Sequence, residues 1–371
     1  MRWAPGGHGA GVPDLDSTVN AAPARAARRL LARYRASGAD LPWGDPLRAH
    51  GVAMEGYFWR FTDPRTGRVL IALNGVNRAA DGRWATLGLA AHPGGFLRTT
   101  VHPHATALAD GLGVRAGEAF HGTADALHVD LGPDARVDAR LVDAVPWPRR
   151  SLGGSSVFQS VPALNQYWHP WLLGGRVHGT AVLGEQTWDL DGWTAYGEKN
   201  WGRGGFPDSW WWGQAQGFAE DGVCVAFAGG EVSAGPLRTT VTAVVVRLPD
   251  GRVLRLGDPV VSPVRAAVSD ERWSLRGRSA RWSVDIEGRG DLGRAHVLPV
   301  PLPAERRHVP GAIEHLAARM RVVVRHRGRT VWAGESLLAA LEHGGIARAR
   351  AEVLRRGGST GDTDAAPEVR D

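Results

Sequence analysis

Short runs of alternating apolar and polar residues begin near Val52 and recur along most of the chain. Alternation with a period of two is typical of β-strands that bury one face. Turn residues separate the runs, as in Pro-Asp-Gly at 249–251 and Arg-Gly-Arg at 327–329, and these favour hairpins. The pattern predicts strands at 55–61, 68–73, 84–90, 96–102, 124–131, 137–142, 175–183, 187–198, 210–218, 223–227, 238–247, 252–256, 273–275, 281–287, 319–326 and 330–338.

Many short, evenly spaced strands are typical of sandwiches and barrels, so the predicted fold class is all-β. A Pro/Gly/Ser-rich stretch at 146–156 is the best boundary between two such units. We therefore expect a loose segment and helix at 1–48, a first β domain at 49–150, a second β domain with the functional site at 151–345, and a short helix with a disordered tail at 346–371.

Two peripheral helices are predicted, at 24–35 and 347–356. In the first, Ala27, Leu30, Leu31 and Tyr34 share one face and arginines occupy the other. Such a helix either docks on the protein body with its basic face in solvent or lies on a membrane surface.

The formal net charge of +6 raises the question of an anionic partner. The arginines are interleaved with acidic residues and form no basic run with aromatic residues, so no nucleic-acid binding is expected. Cys224 is the single cysteine, lies in an apolar strand and is expected to be an inert core residue. No signal-peptide or transmembrane pattern is evident. We expect a monomeric cytoplasmic protein, with peripheral contact at the inner membrane face as an open alternative.

The most unusual segment is a hairpin-like run at 196–212, which combines charged, amide and tryptophan side chains. It contains Lys199, the only lysine among 44 basic residues. A compact ammonium group does not replace a planar guanidinium group, so this position is a candidate for a specific role. Chance placement of one lysine is the alternative.

Strand alternation sorts the side chains of this segment by face. One face carries Tyr196, Glu198 and Asn200, whereas Lys199 and Trp201 point the other way. In the next strand Trp210, Trp212, Gln214 and Gln216 share a face, and Tyr167 shares one with His169. The predicted site comprises Glu198, His169 and Gln214 as catalytic residues and Tyr167, Tyr196, Asn200, Trp210, Trp212 and Gln216 as substrate-binding residues.

This set suits acid chemistry on an apolar molecule. A carboxyl group in a tryptophan-lined cavity is desolvated, so its pKa should rise and it can stay protonated near neutral pH. Indole faces can stabilise a carbocation by about 1–2 kcal/mol each. On a regular strand Lys199 would pair with Asp189 or Asp191, whereas a bulge at Gly197 would bring it into the site. The alternative is a purely structural Glu198–Lys199 cluster, with the tryptophans serving only as core and His169 bonded to a loop carbonyl.

The sequence predicts no metal and no cofactor. The histidines of the first half, at 92, 102, 104, 121 and 128, lack a tight ligand spacing. No phosphate-binding loop, nucleophile elbow or metalloprotease motif is present.

Several motifs resemble the tocopherol cyclase family. They are Glu-Gly-Tyr-Phe at 55–58, Gln-Tyr-Trp-His-Pro at 166–170, Gly-Gly-Arg-Val-His-Gly at 174–179, Trp-Asp-Leu-Asp-Gly at 188–192, Tyr-Gly-Glu-Lys-Asn-Trp-Gly at 196–202 with Phe206 and Pro207, and Trp212 with Gln214. In this resemblance Lys199, Trp201, Gly202, Phe206 and Pro207 form the structural motif. The chain departs from it by an extra glycine before Phe206 and by Asn200 where plant-like members carry aspartate.

The resemblance implies two tandem lipocalin-like antiparallel β-barrels and closure of a chromanol ring on a prenylated quinol. In that reaction the double bond of the tail is protonated and the phenol oxygen captures the tertiary cation. Assigning Glu198 as the proton donor is our inference. Two alternatives remain open at this point: a non-catalytic carrier of an apolar lipid or isoprenoid, and a carotenoid hydratase-like enzyme in which water captures the cation.

Overall fold

The computed structural model describes residues 21–40, 49–109, 111–148 and 152–359 of the 371-residue chain. Most of these residues lie in two large antiparallel sheets, so the predicted all-β class is confirmed. Within the described residues, no helix is both long enough and apolar enough to cross a bilayer.

The first sheet is formed by the strands of the N-terminal part of the chain. They are β1 (Met54–Asp63), β2 (Arg68–Ala79), β3 (Gly82–His92), β4 (Phe96–His102), β5 (Thr106–Ala107), β6 (Gly113–Ala116), β7 (Phe120–Thr123), β8 (Ala126–Asp130), β9 (Ala135–Val142), β10 (Tyr167–Leu172), β11 (Arg176–Leu183), β12 (Gln186–Asp189) and β13 (Trp193–Gly202). Their order is β4-β3-β2-β1-β13-β11-β9-β8-β7-β6-β5, with β10 paired to β13 and β12 to β11.

The second sheet is formed by the remaining strands. They are β14 (Trp210–Ala215), β15 (Cys224–Ala234), β16 (Leu237–Arg247), β17 (Val253–Leu256), β18 (Val264–Val268), β19 (Arg272–Arg278), β20 (Trp282–Arg289), β21 (His296–Leu302), β22 (Arg307–His326) and β23 (Arg329–Gly344). Their order is β17-β16-β15-β14-β23-β22-β20-β19-β18, with β21 paired to β22.

In the part of the chain that the structure describes, two α-helices accompany the sheets, α1 (Ala21–Ala36) and α2 (Ile346–Arg355), close to the predicted ranges. Leu30 and Leu31 of α1 are exposed, so the expectation that this apolar face docks on the body is wrong. The contact is made at the end of the helix, where the Tyr34 hydroxyl donates to the Ser160 carbonyl. A membrane-surface role for α1 stays a prediction.

Each sheet curves around its own hydrophobic core. Trp59 of β1, Leu87 of β3 and Val114 of β6 belong to one buried cluster, although their strands lie far apart in the sheet order. Phe227 of β15 and Ile286 of β20 share a second cluster. Sheets that curve around a core in this way fit the predicted lipocalin-like architecture.

The sheets pack against each other through the faces that point away from these cores. Tyr196 of β13 packs in one cluster with Trp212 of β14 and Ala340 of β23. Ile71 of β2 packs in another with Leu316 of β22. We call this contact the inter-sheet interface. Its central strands are buried on both faces, which explains their long apolar runs.

The change of sheet falls between Gly202 and Trp210, later than the stretch at 146–156. The strands that follow this stretch, β10–β13, still belong to the first sheet: β10 pairs with β13, and β13 pairs with β1. The predicted division into folding domains stays a prediction. The expectation of a hairpin-like run at 196–212 is wrong, since β13 and β14 belong to different sheets.

Arg60 connects the two sheets. Its side chain is fully buried on β1 and donates to Thr62 Oγ1 at 2.7 Å and to Gln214 Oε1 at 2.7 Å. It also donates to the backbone carbonyls of Leu316 and Leu338 in the second sheet. Burial lowers the Arg60 pKa to about 10, which still leaves the guanidinium charged at neutral pH. The arginine therefore satisfies acceptors on β14, β22 and β23 that water cannot reach.

Lys199 forms a second buried cluster, on the face of β13 opposite Glu198. Its Nζ lies 3.1 Å from Glu55 Oε2, and His50 Nδ1 lies 2.7 Å from the same oxygen. The expected pairing with Asp189 or Asp191 is wrong, because both are exposed. The alternative of a bulge at Gly197 is not observed, because β13 pairs regularly with β1, and the irregularity lies on β10 near Trp171. The Trp171 indole packs on Gly197, where an added Cβ would lie 2.2 Å from it.

Replacing Arg60 with alanine should lower the free energy of unfolding by about 3–5 kcal/mol, because three inter-sheet acceptors lose their donor. Urea unfolding followed by tryptophan fluorescence measures this change. Arg115→Ala, which removes an exposed arginine paired with Glu118, is the control and should cost less than about 1 kcal/mol. Equal losses for the two variants would contradict a bridging role for Arg60.

The Lys199–Glu55 pair should make stability depend on acid pH. Burial raises the Glu55 pKa, but Lys199, His50 and the Gly51 amide outweigh burial and lower it from 4.5 to about 2. Because the folded-state pKa is depressed, the stabilisation is present above about pH 4.5 and is lost as pH falls towards 2. In Lys199→Met this part of the pH dependence should disappear, and stability at neutral pH should fall by about 3–5 kcal/mol. Unfolding free energies measured from pH 2.5 to 7 test this, with Arg319→Met, in an exposed ion pair, as control. Parallel curves for Lys199→Met and the unsubstituted protein would refute it.

Candidate functional site

A cavity of about 470 Å³ lies in the inter-sheet interface, outside both hydrophobic cores. The first sheet contributes Phe58, Trp168 and Glu198, and the second contributes side chains of β14, β15, β16 and β21–β23. Its size and its mainly apolar wall are typical of a small-molecule site. The cavity is therefore built by both sheets and includes Phe58 from the range 49–150. The sequence had suggested instead that the second β domain, at 151–345, carries the site.

Glu198 is held in this cavity by three hydrogen bonds to one oxygen. Its Oε2 accepts from Tyr196 OH at 2.6 Å, from Trp168 Nε1 at 2.8 Å and from Trp212 Nε1 at 2.8 Å. Its Oε1 accepts no hydrogen bond from the described part of the chain. A proton on this carboxyl group must therefore reside on Oε1, because Oε2 is already occupied by donors.

The environment of Glu198 favours the protonated form. Burial raises its pKa, the donors Tyr196, Trp168 and Trp212 lower it, and the balance places the pKa at about 7. No salt bridge reaches Glu198 among the described residues. A buried carboxyl group without a cation resists ionisation, as the sequence-based argument expected.

Aromatic rings surround this carboxyl group. Trp168, Trp210 and Trp212 line the cavity, and Phe58 meets Trp212 edge-on with ring centroids 5.2 Å apart. Phe206 packs on Trp210 at 4.7 Å, and Pro207 closes the same wall. The segment that joins the sheets is thus part of the cavity wall as well as a structural motif.

Two further carboxyl groups line the cavity. Glu314 of β22 and Glu342 of β23 lie directly opposite each other. The Trp210 indole N–H donates to Glu342 Oε1. Burial and the like charge of Glu342 raise the pKa of Glu314, and burial together with the charge of Glu198 raises that of Glu342.

Four of the predicted substrate-binding residues line the cavity, namely Tyr167, Asn200, Trp210 and Trp212. Tyr196 lies behind the wall as a donor to Glu198. Tyr167 is at the edge, where its hydroxyl donates to the Val161 carbonyl at 2.5 Å and its ring stacks on Trp201. Asn200 packs over Gly56, whose added Cβ would lie 2.0 Å from Asn200 Oδ1.

The structure does not bring His169, Gln214 and Gln216 into the cavity. His169 pairs with Lys199 across β10 and β13. It therefore lies on the same face of the sheet as Lys199, which is the face opposite Glu198. Burial, followed by the charge of Lys199, lowers its pKa to about 3, and Nδ1 of the neutral ring accepts from the Gly154 amide at 3.2 Å. Gln214 bonds to Arg60, and Gln216 donates to the Ala195 carbonyl at 3.0 Å.

Sequence reasoning missed Trp168, Glu314 and Glu342. The sequence signal for Trp168 was its position between Tyr167 and His169, since alternation places it on the face of β10 opposite to those two residues. In the structure Trp168 pairs with Asn200 of β13. Glu314 and Glu342 lie in strands that extend beyond the predicted ranges. Each interrupts an apolar run, which is a signal for a buried carboxyl group.

The remaining predicted residues are structural. The Trp201 indole donates to the Gly38 carbonyl at 2.7 Å. At Gly202 an added Cβ would lie 1.8 Å from the Asn165 carbonyl oxygen, so the close approach needs glycine. Cys224 is fully buried in the inter-sheet interface, as expected of an inert residue. No group of three potential metal ligands occurs within the described ranges.

Comparison with solved structures finds matching folds at low sequence identity. CghA in complex with Sch210972 matches with a TM-score of 0.54 and 14% identity, over 80% of this chain and 89% of that chain. Kievitone hydratase from Nectria haematococca matches with a TM-score of 0.47 and 11% identity, over 79% and 88%. No curated protein sequence matches the chain. The likeness to CghA concerns the fold alone.

A family model described as tocopherol cyclase-like matches residues 141–345, which is more than half of the chain. The matched region contains β10–β23, and with them Glu198, Glu314, Glu342 and the tryptophans of the cavity. The chain therefore belongs to the tocopherol cyclase-like family.

Proposed function

We propose that this protein is an acid-catalysed cyclase that closes a chromanol-type ring on a prenylated quinol or a related isoprenoid. The observation that carries the proposal is the Glu198 carboxyl group, with Oε2 saturated by three donors and Oε1 left to hold a proton. Family membership supports the same class of chemistry.

Glu198 would donate its proton to the trisubstituted double bond of the substrate tail. The π electrons form the new C–H bond, and a tertiary carbocation results. The faces of Trp168, Trp210 and Trp212 would stabilise this cation. The three donors to Oε2 would stabilise the carboxylate that remains after proton transfer. The phenol oxygen then attacks the cation, and the C–O bond closes the ring.

The contacts of Glu198 favour an enzyme over a carrier. In a carrier we would expect the Glu198 carboxyl group to form an ion pair that points away from the cavity. The cation of this segment, Lys199, is instead paired with Glu55 on the other face of β13. His169 and Gln214 lie away from the cavity, so we propose no substrate contact for them. Monomeric state, cytoplasmic location and peripheral membrane contact remain predictions from the sequence.

Substitution of Glu198 should stop the reaction without unfolding the protein. We expect Glu198→Gln to lower turnover of a prenylated hydroquinone by at least about a hundredfold, because an amide cannot donate the proton. The assay runs in deuterated water with mass spectrometry, and the expected product has one new carbon-bound deuterium and an otherwise unchanged formula.

The matched control is Glu335→Gln, which alters an exposed carboxyl group on β23 and should leave turnover unchanged. An unchanged rate in Glu198→Gln would remove Glu198 from the role of acid. A product heavier by the mass of water would replace ring closure with hydration, and tight binding without turnover would favour the carrier.

The rate should fall as pH rises through about 7, because the protonated form of Glu198 is the active one and its pKa lies near that value. Above that pH kcat should drop by about tenfold per pH unit. Rates measured from pH 5 to 9 test this, with tryptophan fluorescence as a check that the fold persists. A rate that rises with pH across this range would contradict an acid role.

A further inference from the structure

The Glu314–Glu342 pair has features that structural carboxyl groups lack. Both residues line the cavity and lie directly opposite each other across β22 and β23, so their carboxyl groups are neighbours. The Trp210 indole holds Glu342 through Oε1. Two neighbouring carboxyl groups in a dry site resist ionising together, so one of them can hold a proton while the other is a carboxylate.

Glu314 also has an unused acceptor. The residue is 1% exposed, yet its Oε1 has no hydrogen-bond partner within the described part of the chain. A buried acceptor without a partner costs about 1–3 kcal/mol. Because Glu314 lines the cavity, a ligand hydroxyl group is placed to supply the missing donor.

The pair and Glu198 belong to the same cavity but differ in their partners. Trp212 donates to Glu198 and is the cross-strand neighbour of Glu342 in the pairing of β14 with β23, so it contacts one acidic centre and lies beside the other. Glu198 has indole and phenol donors on one oxygen, whereas Glu314 faces the cavity with an unpaired acceptor. Differing environments of this kind commonly separate acid and base roles.

We propose that the Glu314–Glu342 pair binds the phenolic hydroxyl group of the substrate and accepts its proton during ring closure. This assignment rests on the proposed cyclase function. The C–O bond forms as the oxygen attacks the cation, the O–H bond breaks, and the proton passes to the carboxylate of the pair. Glu198 has meanwhile lost one proton to carbon, so the substrate formula is unchanged. Return of one proton from the pair to Glu198, directly or through solvent, completes the cycle.

Binding tests the assignment separately from turnover. The probes are a 2-prenylated phenol and its methyl ether, titrated against the tryptophan fluorescence of the intact protein. The unsubstituted protein should prefer the phenol by about tenfold, as one hydrogen bond to a buried acceptor provides. Glu314→Leu should bind the two probes with affinities within about twofold of each other, because the acceptor is gone.

Glu314→Gln is the second variant, because it retains an acceptor oxygen and the shape of the side chain. It should keep most of the preference for the phenol but lose turnover, since an amide cannot accept the proton. Glu335→Leu and Glu335→Gln, on the exposed face of β23, are the matched controls and should leave both preference and turnover unchanged.

The outcomes separate this assignment from the proposed function. Full preference for the phenol in Glu314→Leu, with turnover still dependent on Glu198, would overturn the assignment and leave the cyclase function intact. Loss of the preference in a protein that turns over no prenylated phenol would support the hydroxyl-binding site and reject the cyclase function. Normal turnover in Glu314→Gln would overturn the proton-accepting role.

Discussion

The double burial of the central strands is the constraint on which the rest of this structure depends. Strands such as β1 and β14 face a hydrophobic core on one side and the inter-sheet interface on the other, so neither face offers water to a polar group. Every polar side chain there needs a partner from the protein. Arg60 meets this need for several groups at once, and it thereby joins the first sheet to the second.

The same exclusion of water gives neighbouring carboxyl groups opposite properties. Glu55 and Glu198 are both buried, but Lys199, His50 and the Gly51 amide lower the pKa of Glu55 to about 2. Glu198 has no cation partner among the described residues, and burial raises its pKa to about 7. They lie on opposite faces of the paired strands β1 and β13, so alternation separates a structural anion from a candidate acid. Because Lys199 pairs with Glu55 on the opposite face, it does not lower the pKa of Glu198.

A site between two curved sheets differs from one inside a barrel. Here the cores enclosed by the curved sheets are filled by large apolar side chains such as Trp59 and Phe227, and the cavity lies between the sheets, where Gly56 and Ala228 are part of its wall. The tryptophans are thus divided between packed cores and the cavity wall. Those of the wall also supply the N–H donors that hold Glu198 and Glu342.

The sequence by itself determined the all-β class, most strands, the two short helices and the faces of β13 and β14, because these follow from local periodicity and turn chemistry. It also identified Glu198, Trp210 and Trp212 as residues of one cavity. Only the tertiary structure decided that Lys199 pairs with Glu55, that His169 faces away, and that Glu314 and Glu342 join the cavity. These outcomes depend on which strands become neighbours across distant parts of the chain, and local patterns carry no information about that pairing.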